Sequence, residues 1–244
     1  MKNLLLVQPG AFGDIFLCAP IAKWYANKGY KIYWPVRKRF LSILSSLDYV
    51  NPIELREESL DSDWLRSDVM KILPMIPEYD KVINLADRGP HSIAQQLSEN
   101  FEQCKYRLAE VPFSEKNNLS WERNLEKEEN LFNLLGLSPK DHYAVVHKED
   151  SSGEMAVVPP VNMKVIEVKP IENYSIPDWF KVFGNASEIY CVESSIHQFL
   201  DGIIPHLTDK RFLLKRPSIA PNYRFTVSEN WDLRFIGQNS IVRG

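Results

Sequence analysis

A short, almost wholly apolar run at residues 2–8 breaks on Pro9-Gly10, and a segment with apolar residues at helical spacing follows at residues 14–27. A run of that length and composition reads as a buried strand, with the Pro-Gly pair as its stop. Gly29 stands where a helix C-terminus favours glycine, while Pro20 removes one hydrogen bond from the helix and predicts a kink. Residues 30–36 then read as a second strand, 40–47 as a short helix and 81–86 as another buried strand. Strand, helix, strand, helix, strand is the pattern of a parallel sheet with helical crossovers, so the expected fold class is α/β.

Residues 57–78 and 87–118 have poorer periodicity and more polar side chains, which predicts short helices and long loops. Residues 121–135 form a charged amphipathic helix stopped by Gly136 and then Ser138-Pro139. A second alternation follows, with strands at 143–147, 164–168, 189–192 and 211–215 and helices at 176–183 and 196–203. The break at 136–141 divides the chain into expected domains 1–137 and 138–225, with 226–244 as a terminal segment.

With 44% hydrophobic and 11% aromatic residues in 244, the chain has enough apolar material for a full core. No leader and no apolar run of about 20 residues is present, so no transmembrane segment is expected and the expected location is cytoplasmic. Cys18, Cys104 and Cys191 are far apart and odd in number, which argues for buried thiols over a disulfide framework or metal site. A net charge of -3 gives no general electrostatic reason to bind nucleic acid.

In a parallel sheet, ligands gather beyond the carboxyl ends of the strands, and Gly10, Gly13 and Asp14 occupy the loop and helix start after the first one. The glycines let the backbone come close to a ligand. Asp14 has two readings: a helix cap, for which aspartate is among the best residues, or a carboxylate aimed at a ligand. The turn lacks the third glycine of the dinucleotide fingerprint. In the second half, Glu193 ends a strand, and Ser194 and Ser195 open a helix whose free N–H groups suit a diphosphate. Ser194 with Gln198 reads equally as a capping arrangement without ligand. His147, Lys148, Ser151 and Ser152 follow a strand in VVHKEDSSGEM, a loop able to hold phosphate or simply a solvated turn.

The stretch LLLVQPGAFGDIFLCAPIAKWY resembles the opening of the heptosyltransferase-like glycosyltransferases (glycosyltransferase family nine), with an apolar strand, an Arg/Gln-Pro-Gly-x-x-Gly-Asp turn and a proline-bearing helix. ASEIYCVESSIHQFLDGI is similar to the family's later segment, where a strand ends in an acidic residue and small polar residues open a helix. Glutamate at 193 replaces the family's usual aspartate, the glycine after it is absent, and the chain is short, as in a small divergent member. The resemblance implies a GT-B fold: two Rossmann-like domains facing a cleft, the acceptor on the first and the nucleotide-diphosphate sugar on the second. It implies that the terminal segment, with Trp231 and Phe235, returns to the first domain. It makes Asp14 the catalytic base. It places Gly13, His147, Lys148, Ser151, Ser152, Glu193, Ser194 and Ser195 about the donor, with Val168, Pro170 and Ile171 lining the base pocket. In the family the lysine of the phosphate loop comes after its hydroxyl residues, whereas Lys148 precedes the serines.

Gly10 and Phe12, with the basic run Arg37, Lys38 and Arg39, are the acceptor-side candidates, although the run reads more readily as a solvated helix start than as a phosphate contact. Asp61-Ser62-Asp63 resembles a metal motif but sits in a polar stretch and reads as a helix N-terminus; no metal and no cofactor beyond the donor substrate are expected. The expected function is transfer of a sugar from a nucleotide-diphosphate sugar to a hydroxyl of a carbohydrate, glycolipid or similar acceptor, inverting and metal-independent. The rivals are a non-catalytic nucleotide- or sugar-binding module on the same fold, and a transferase acting on a modified DNA base. The last would need Arg37–Arg39 and KRPSIAPNYRF to form a basic track, against the acidic balance.

Overall fold

The computed structural model describes residues 2–55, 68, 70–86, 100–150, 153–154, 162–215 and 230–235. They divide into two compact units, one built on the chain up to Glu122 and the other on the chain from Arg123.

The first unit runs β1 (Lys2–Val7), α1 (Phe12–Asn27), β2 (Tyr30–Arg37), α2 (Leu41–Ser45), β3 (Val50–Leu55), β4 (Lys81–Asn84) and α3 (Phe101–Leu108). The four strands pair in parallel in the order β3-β2-β1-β4. Leu4, Leu5 and Leu6 of the central β1 are wholly buried, as a parallel strand covered on both faces requires. Helix α1 is buried continuously from Ile15 to Ala22, and α3 is pinned to it by the Tyr106 hydroxyl donating to the Leu17 carbonyl at 2.9 Å. Two prolines mark where this sheet loosens. The β1–β2 register ends at Leu5↔Tyr33, just before Pro35, which has no N–H to give. Beyond it the Trp34 indole donates to the Gln8 carbonyl at 2.7 Å and carries the loop after β1. Pro52 lies in β3, an edge strand, where a missing donor is tolerated.

The second unit runs α4 (Leu125–Leu134), β5 (Tyr143–His147), the short hairpin β6 (Glu149–Asp150) and β7 (Gly153–Glu154), and β8 (Lys164–Glu167). A tight turn at Ile176–Trp179 leads to α5 (Phe180–Gly184), then β9 (Glu188–Val192), α6 (Ser195–Gly202), β10 (Arg211–Lys215) and β11 (Asp232–Phe235). Its five-stranded sheet is parallel throughout, in the order β11-β10-β9-β5-β8. The chain steps from β5 to β8 on one side and then builds β9, β10 and β11 on the other, so the order reverses between β5 and β9. Phe132 of α4, Phe183 of α5 and Phe199 of α6 are buried, and the Tyr143 hydroxyl donates to the Val182 carbonyl at 2.7 Å.

The main alternation follows the pattern expected from the apolar runs. The helix expected over 121–135 begins at Leu125, because Asn124 caps it by accepting from the Lys127 N–H at 2.9 Å. That helix belongs to the second unit, so the division falls ahead of it and not at 136–141. The expected return of the terminal segment is corrected for Trp231 to Phe235: β11 extends the second sheet. Trp231 is buried there and donates from Nε1 to the Asp201 carboxylate of α6 at 2.6 Å. Helix α3 falls within 87–118, where short helices are expected, and strands β3 and β11 are additions to the expected elements. All three cysteines are free and buried, and among the described residues no helix is long and apolar enough to cross a membrane.

Two substitutions rank these contacts. Trp231→Phe removes the donor to a wholly buried carboxylate and is expected to lower unfolding free energy by about 1–3 kcal/mol. Asn124→Ala removes an exposed helix cap and is expected to cost about 1 kcal/mol. Urea titration of the two variants measures the difference.

Candidate active site

The first sheet reverses its order between β1 and β4, and the loop after β1 lies at the carboxyl end of that switch. Asp14 is in the first turn of α1 but does not cap it. The cap position is Ala11, whose side chain makes no capping bond and whose backbone is at φ 70°, ψ 129°. That is a left-handed conformation a non-glycine residue adopts at a cost, and it aims the chain into the helix. The positive φ expected of a glycine thus falls on Ala11; neither Gly10 nor Gly13 has it.

The Asp14 carboxylate instead meets a cation from far along the chain. Lys105 of α3 places Nζ 2.5 Å from Asp14 Oδ1 and 3.0 Å from Gln8 Oε1, with the Phe101 ring centroid 4.4 Å away. The lysine side chain is 1% exposed and that of Asp14 25% exposed, so the pair is closed on the ammonium side and open on the carboxylate side. Gln8 is fixed in turn, its Nε2 donating to the Gly10 carbonyl at 3.0 Å. The neighbouring Cys18 thiol is pushed up to about 12, by burial first, with Lys105 opposing and Asp14 adding to it; it is therefore neutral and no nucleophile at pH 7.

The acceptor-side candidates separate. Arg37 is buried at the end of β2, its Nε 2.6 Å from Asp68 Oδ2, so it is held in an ion pair and is not a solvated helix start. Lys38 and Arg39 are exposed. Phe12 is exposed and packs edge-on against the buried Phe40, with centroids 4.8 Å apart, and the Arg39 guanidinium lies over that same ring, 4.7 Å from its centroid. Gly10 is buried and Gly13 half-buried.

In the second unit the switch between β5 and β9 brings His147 beside the turn into α6. Register pairs His147 with Cys191, and His147 Nδ1 lies 3.2 Å from Ser194 Oγ. Ser194 is the N-cap of α6 and accepts from the His197 N–H at 3.4 Å, so the capping reading holds for Ser194; Gln198 lies one position past the place a capping box needs. Glu193 and Ser195 are half-buried on either side of it. Lys148 Nζ lies 3.3 Å from Glu167 Oε2 and Lys169 Nζ 3.2 Å from Glu167 Oε1. Burial pushes the Glu167 carboxyl up, and the two lysines together outweigh it and hold it below the ordinary range. The Cys191 thiol is raised well above its usual value, by burial first.

Val168 continues the β8 edge by donating to the Val146 carbonyl at 2.8 Å, while Pro170 is exposed and Ile171 half-buried. Ser151 and Ser152, the Asp61–Asp63 motif and residues 216–225 of the basic track lie outside the described residues. Among the described residues no three His, Cys, Asp or Glu side chains gather as metal ligands would. Sequence reasoning missed Lys105 and Gln8. The alternation of Phe101, Cys104 and Leu108 in FEQCKYRL carries a helical signal, but nothing local says that its lysine is buried.

No protein-family model matches the sequence, and no curated protein matches it. Solved structures do match by fold. A family 9 glycosyl transferase from Veillonella parvula superposes with a TM-score of 0.64 at 11% identity, over 96% of this chain and 86% of that one. The ADP-heptose LPS heptosyltransferase II of E. coli gives 0.54 at 11% identity, over 97% and 90%. The E. coli heptosyltransferase WaaC, solved with ADP, gives 0.50 at 14% identity, over 96% and 93%. The chain therefore shares the α/β fold of these transferases, with a parallel sheet in each of its two units.

Proposed function

We propose that the chain is a glycosyltransferase that moves a sugar from a nucleoside diphosphate sugar to an acceptor hydroxyl, with inversion and without a protein-bound metal. The observation that carries this reading is Asp14. It sits at a topological switch point, caps no N–H, and is held by a buried ammonium with its carboxylate partly open to solvent. An inverting transfer needs such a group to take the proton of the acceptor hydroxyl as that oxygen attacks the anomeric carbon. Lys105 and Gln8 fix where the carboxylate stands, and Phe12, Lys38 and Arg39 give the same end of the sheet an aromatic face and two exposed cations for the acceptor.

The second unit takes the donor in this reading. The backbone N–H groups at the start of α6 meet the diphosphate and stabilise the charge it acquires on leaving. Glu193, at the end of β9, accepts from ribose hydroxyls, and the β8 edge at Val168 to Ile171 lines the base. WaaC, a fold neighbour, is solved with ADP, which supports a nucleoside diphosphate as the ligand class.

The Lys105–Asp14 pair also supports a second reading, a non-catalytic nucleotide- or sugar-binding module in which the pair is only an internal staple. Asp14→Asn separates the two. It is expected to lower transfer by about 10²–10⁴-fold, the range general-base loss gives, with nucleotide binding retained and the melting temperature lowered, because the buried Lys105 ammonium loses its counter-charge. Nucleotide binding by the wild type with no transfer would sustain the module, and unchanged transfer in Asp14→Asn would exclude Asp14 as the base.

A thermal-shift panel with ADP, UDP, GDP, CDP and dTDP, with and without magnesium, tests the donor half. One nucleotide at about 100 times its dissociation constant is expected to stabilise the chain by roughly 2.7 kcal/mol, equally in both conditions. A shift that appears only with magnesium contradicts metal independence.

A further inference from the structure

We infer that the two oxygens of Asp14 have separate duties: Oδ1 is held, Oδ2 takes the proton, and Gln8 and Lys105 are positioning residues that act on turnover by enforcing that division. The inference rests on the base role proposed above and adds to it the reacting atom and the residues that select it.

The selection starts at Gln8, buried directly after β1. Its amide is clamped between partners of opposite kind, Nε2 on the Gly10 carbonyl and Oε1 on Lys105 Nζ, each at 3.0 Å. A carbonyl only accepts and an ammonium only donates, so the amide has one permitted orientation. The Gln8 carbonyl is fixed as well, by the Trp34 indole. The Lys105 ammonium has three N–H bonds. One goes to Gln8 Oε1 and one to Asp14 Oδ1 at 2.5 Å, while the Phe101 ring lies against the head with its centroid 4.4 Å away. A buried ammonium with two directed bonds resists turning, and the carboxylate it grips resists swinging about its last side-chain bond.

Asp14 Oδ2 is the oxygen left over. Among the described residues it accepts no hydrogen bond, and it is open to solvent. In the transfer, the acceptor oxygen bonds to the anomeric carbon, the bond from that carbon to the diphosphate oxygen breaks, and its electron pair leaves with the diphosphate. The hydroxyl proton passes to Asp14. If it lands on Oδ2, Oδ1 becomes the carbonyl oxygen of a neutral acid and still accepts from Lys105. If it landed on Oδ1, a new O–H would face an N–H donor, and a buried ammonium would lose a partner, which is costly. The held oxygen is thereby kept out of the chemistry, and the contact that aims Oδ2 survives the arrival of the proton.

Donor hydrolysis tests this, because water then takes the place of the acceptor and gives its proton to the same carboxylate. Release of nucleoside diphosphate is followed for the full chain, Asp14→Asn and Lys105→Ala with UDP-glucose, GDP-mannose, CDP-glucose, dTDP-glucose and ADP-heptose, the last named for a fold neighbour. Lys105→Ala leaves behind a carboxylate that is partly exposed and can be hydrated. For the donor that turns over, its kcat is expected to fall about 10²-fold, the cost of a misplacement on the order of 1 Å, with KM within about threefold. The atoms it removes, Cγ to Nζ, are those of propylammonium. The lost kcat is therefore expected to return in propylammonium chloride and not in propanol, which fills the same space without an ammonium.

A kcat for Lys105→Ala within about threefold of wild type, a loss carried by KM, or recovery that does not distinguish the amine from the alcohol overturns the inference and leaves Asp14 as the base, provided Asp14→Asn has lost turnover. If Lys105→Ala does not fold, Gln8→Met, which keeps the ion pair and removes only the amide, decides: a kcat lowered by about threefold or more sustains the inference, and a smaller change overturns it. Unchanged turnover in Asp14→Asn, or no turnover of any donor by the wild type, overturns the proposed reaction and this inference together.

Discussion

Parallel pairing is the constraint on which the rest of this structure depends. Two parallel neighbours cannot be joined by a tight turn, so each connection must carry the chain back to the starting edge before the next strand begins. Within each of the two main sheets every strand then ends at the same edge of that sheet, and the residues that follow its strands are gathered there whatever their distance in sequence. That is how His147 comes within hydrogen-bonding distance of Ser194, and how the loop after β1 becomes the place where Gln8, Ala11 and Asp14 meet. Where the strand order reverses, the connections diverge to opposite faces and leave room above the sheet.

The two ends so formed are electrically unlike. In the first unit a cation is sunk beneath a carboxylate: Lys105 gives up its hydration and recovers contacts from Asp14, Gln8 and the Phe101 ring. A buried pair of this kind is a weak source of net stability, because desolvation cancels much of the attraction, but it fixes where the carboxylate stands. In the second unit the groups are half-buried and the charges are shared, with Glu167 between two lysines and a helix start bearing only the partial charge of its N–H groups. One end is built to hold a charge still, the other to receive one.

How much of this was legible follows from the range of each interaction. β5 and β10 read to the residue, because an apolar run with polar flanks is a local signal. β3 did not, since Asn51, Pro52 and Glu54 look like a loop until a buried neighbour is known, and neither did β11, four residues with two charges among them. α3 lies in a stretch expected to hold short helices, but its buried face was not legible, because Glu102 and Lys105, both buried, resemble a solvated face; their partners Lys116 and Asp14 are supplied by tertiary folding. Asp14 itself stood out by its place after a Pro-Gly turn. That it caps nothing was not readable, because the cap position fell to Ala11 through a backbone conformation that sequence assigns to glycine.

Pro52 has a consequence for how this chain behaves in company. The outer side of an edge strand is a template on which another chain can lay a strand of its own, the first step of sheet-to-sheet aggregation. β3 forms one border of the first sheet, and with a proline in its middle it offers a broken template. A foreign strand docking there would find too few donors in register to be held, so the sheet is discouraged from growing past its own border during synthesis and refolding.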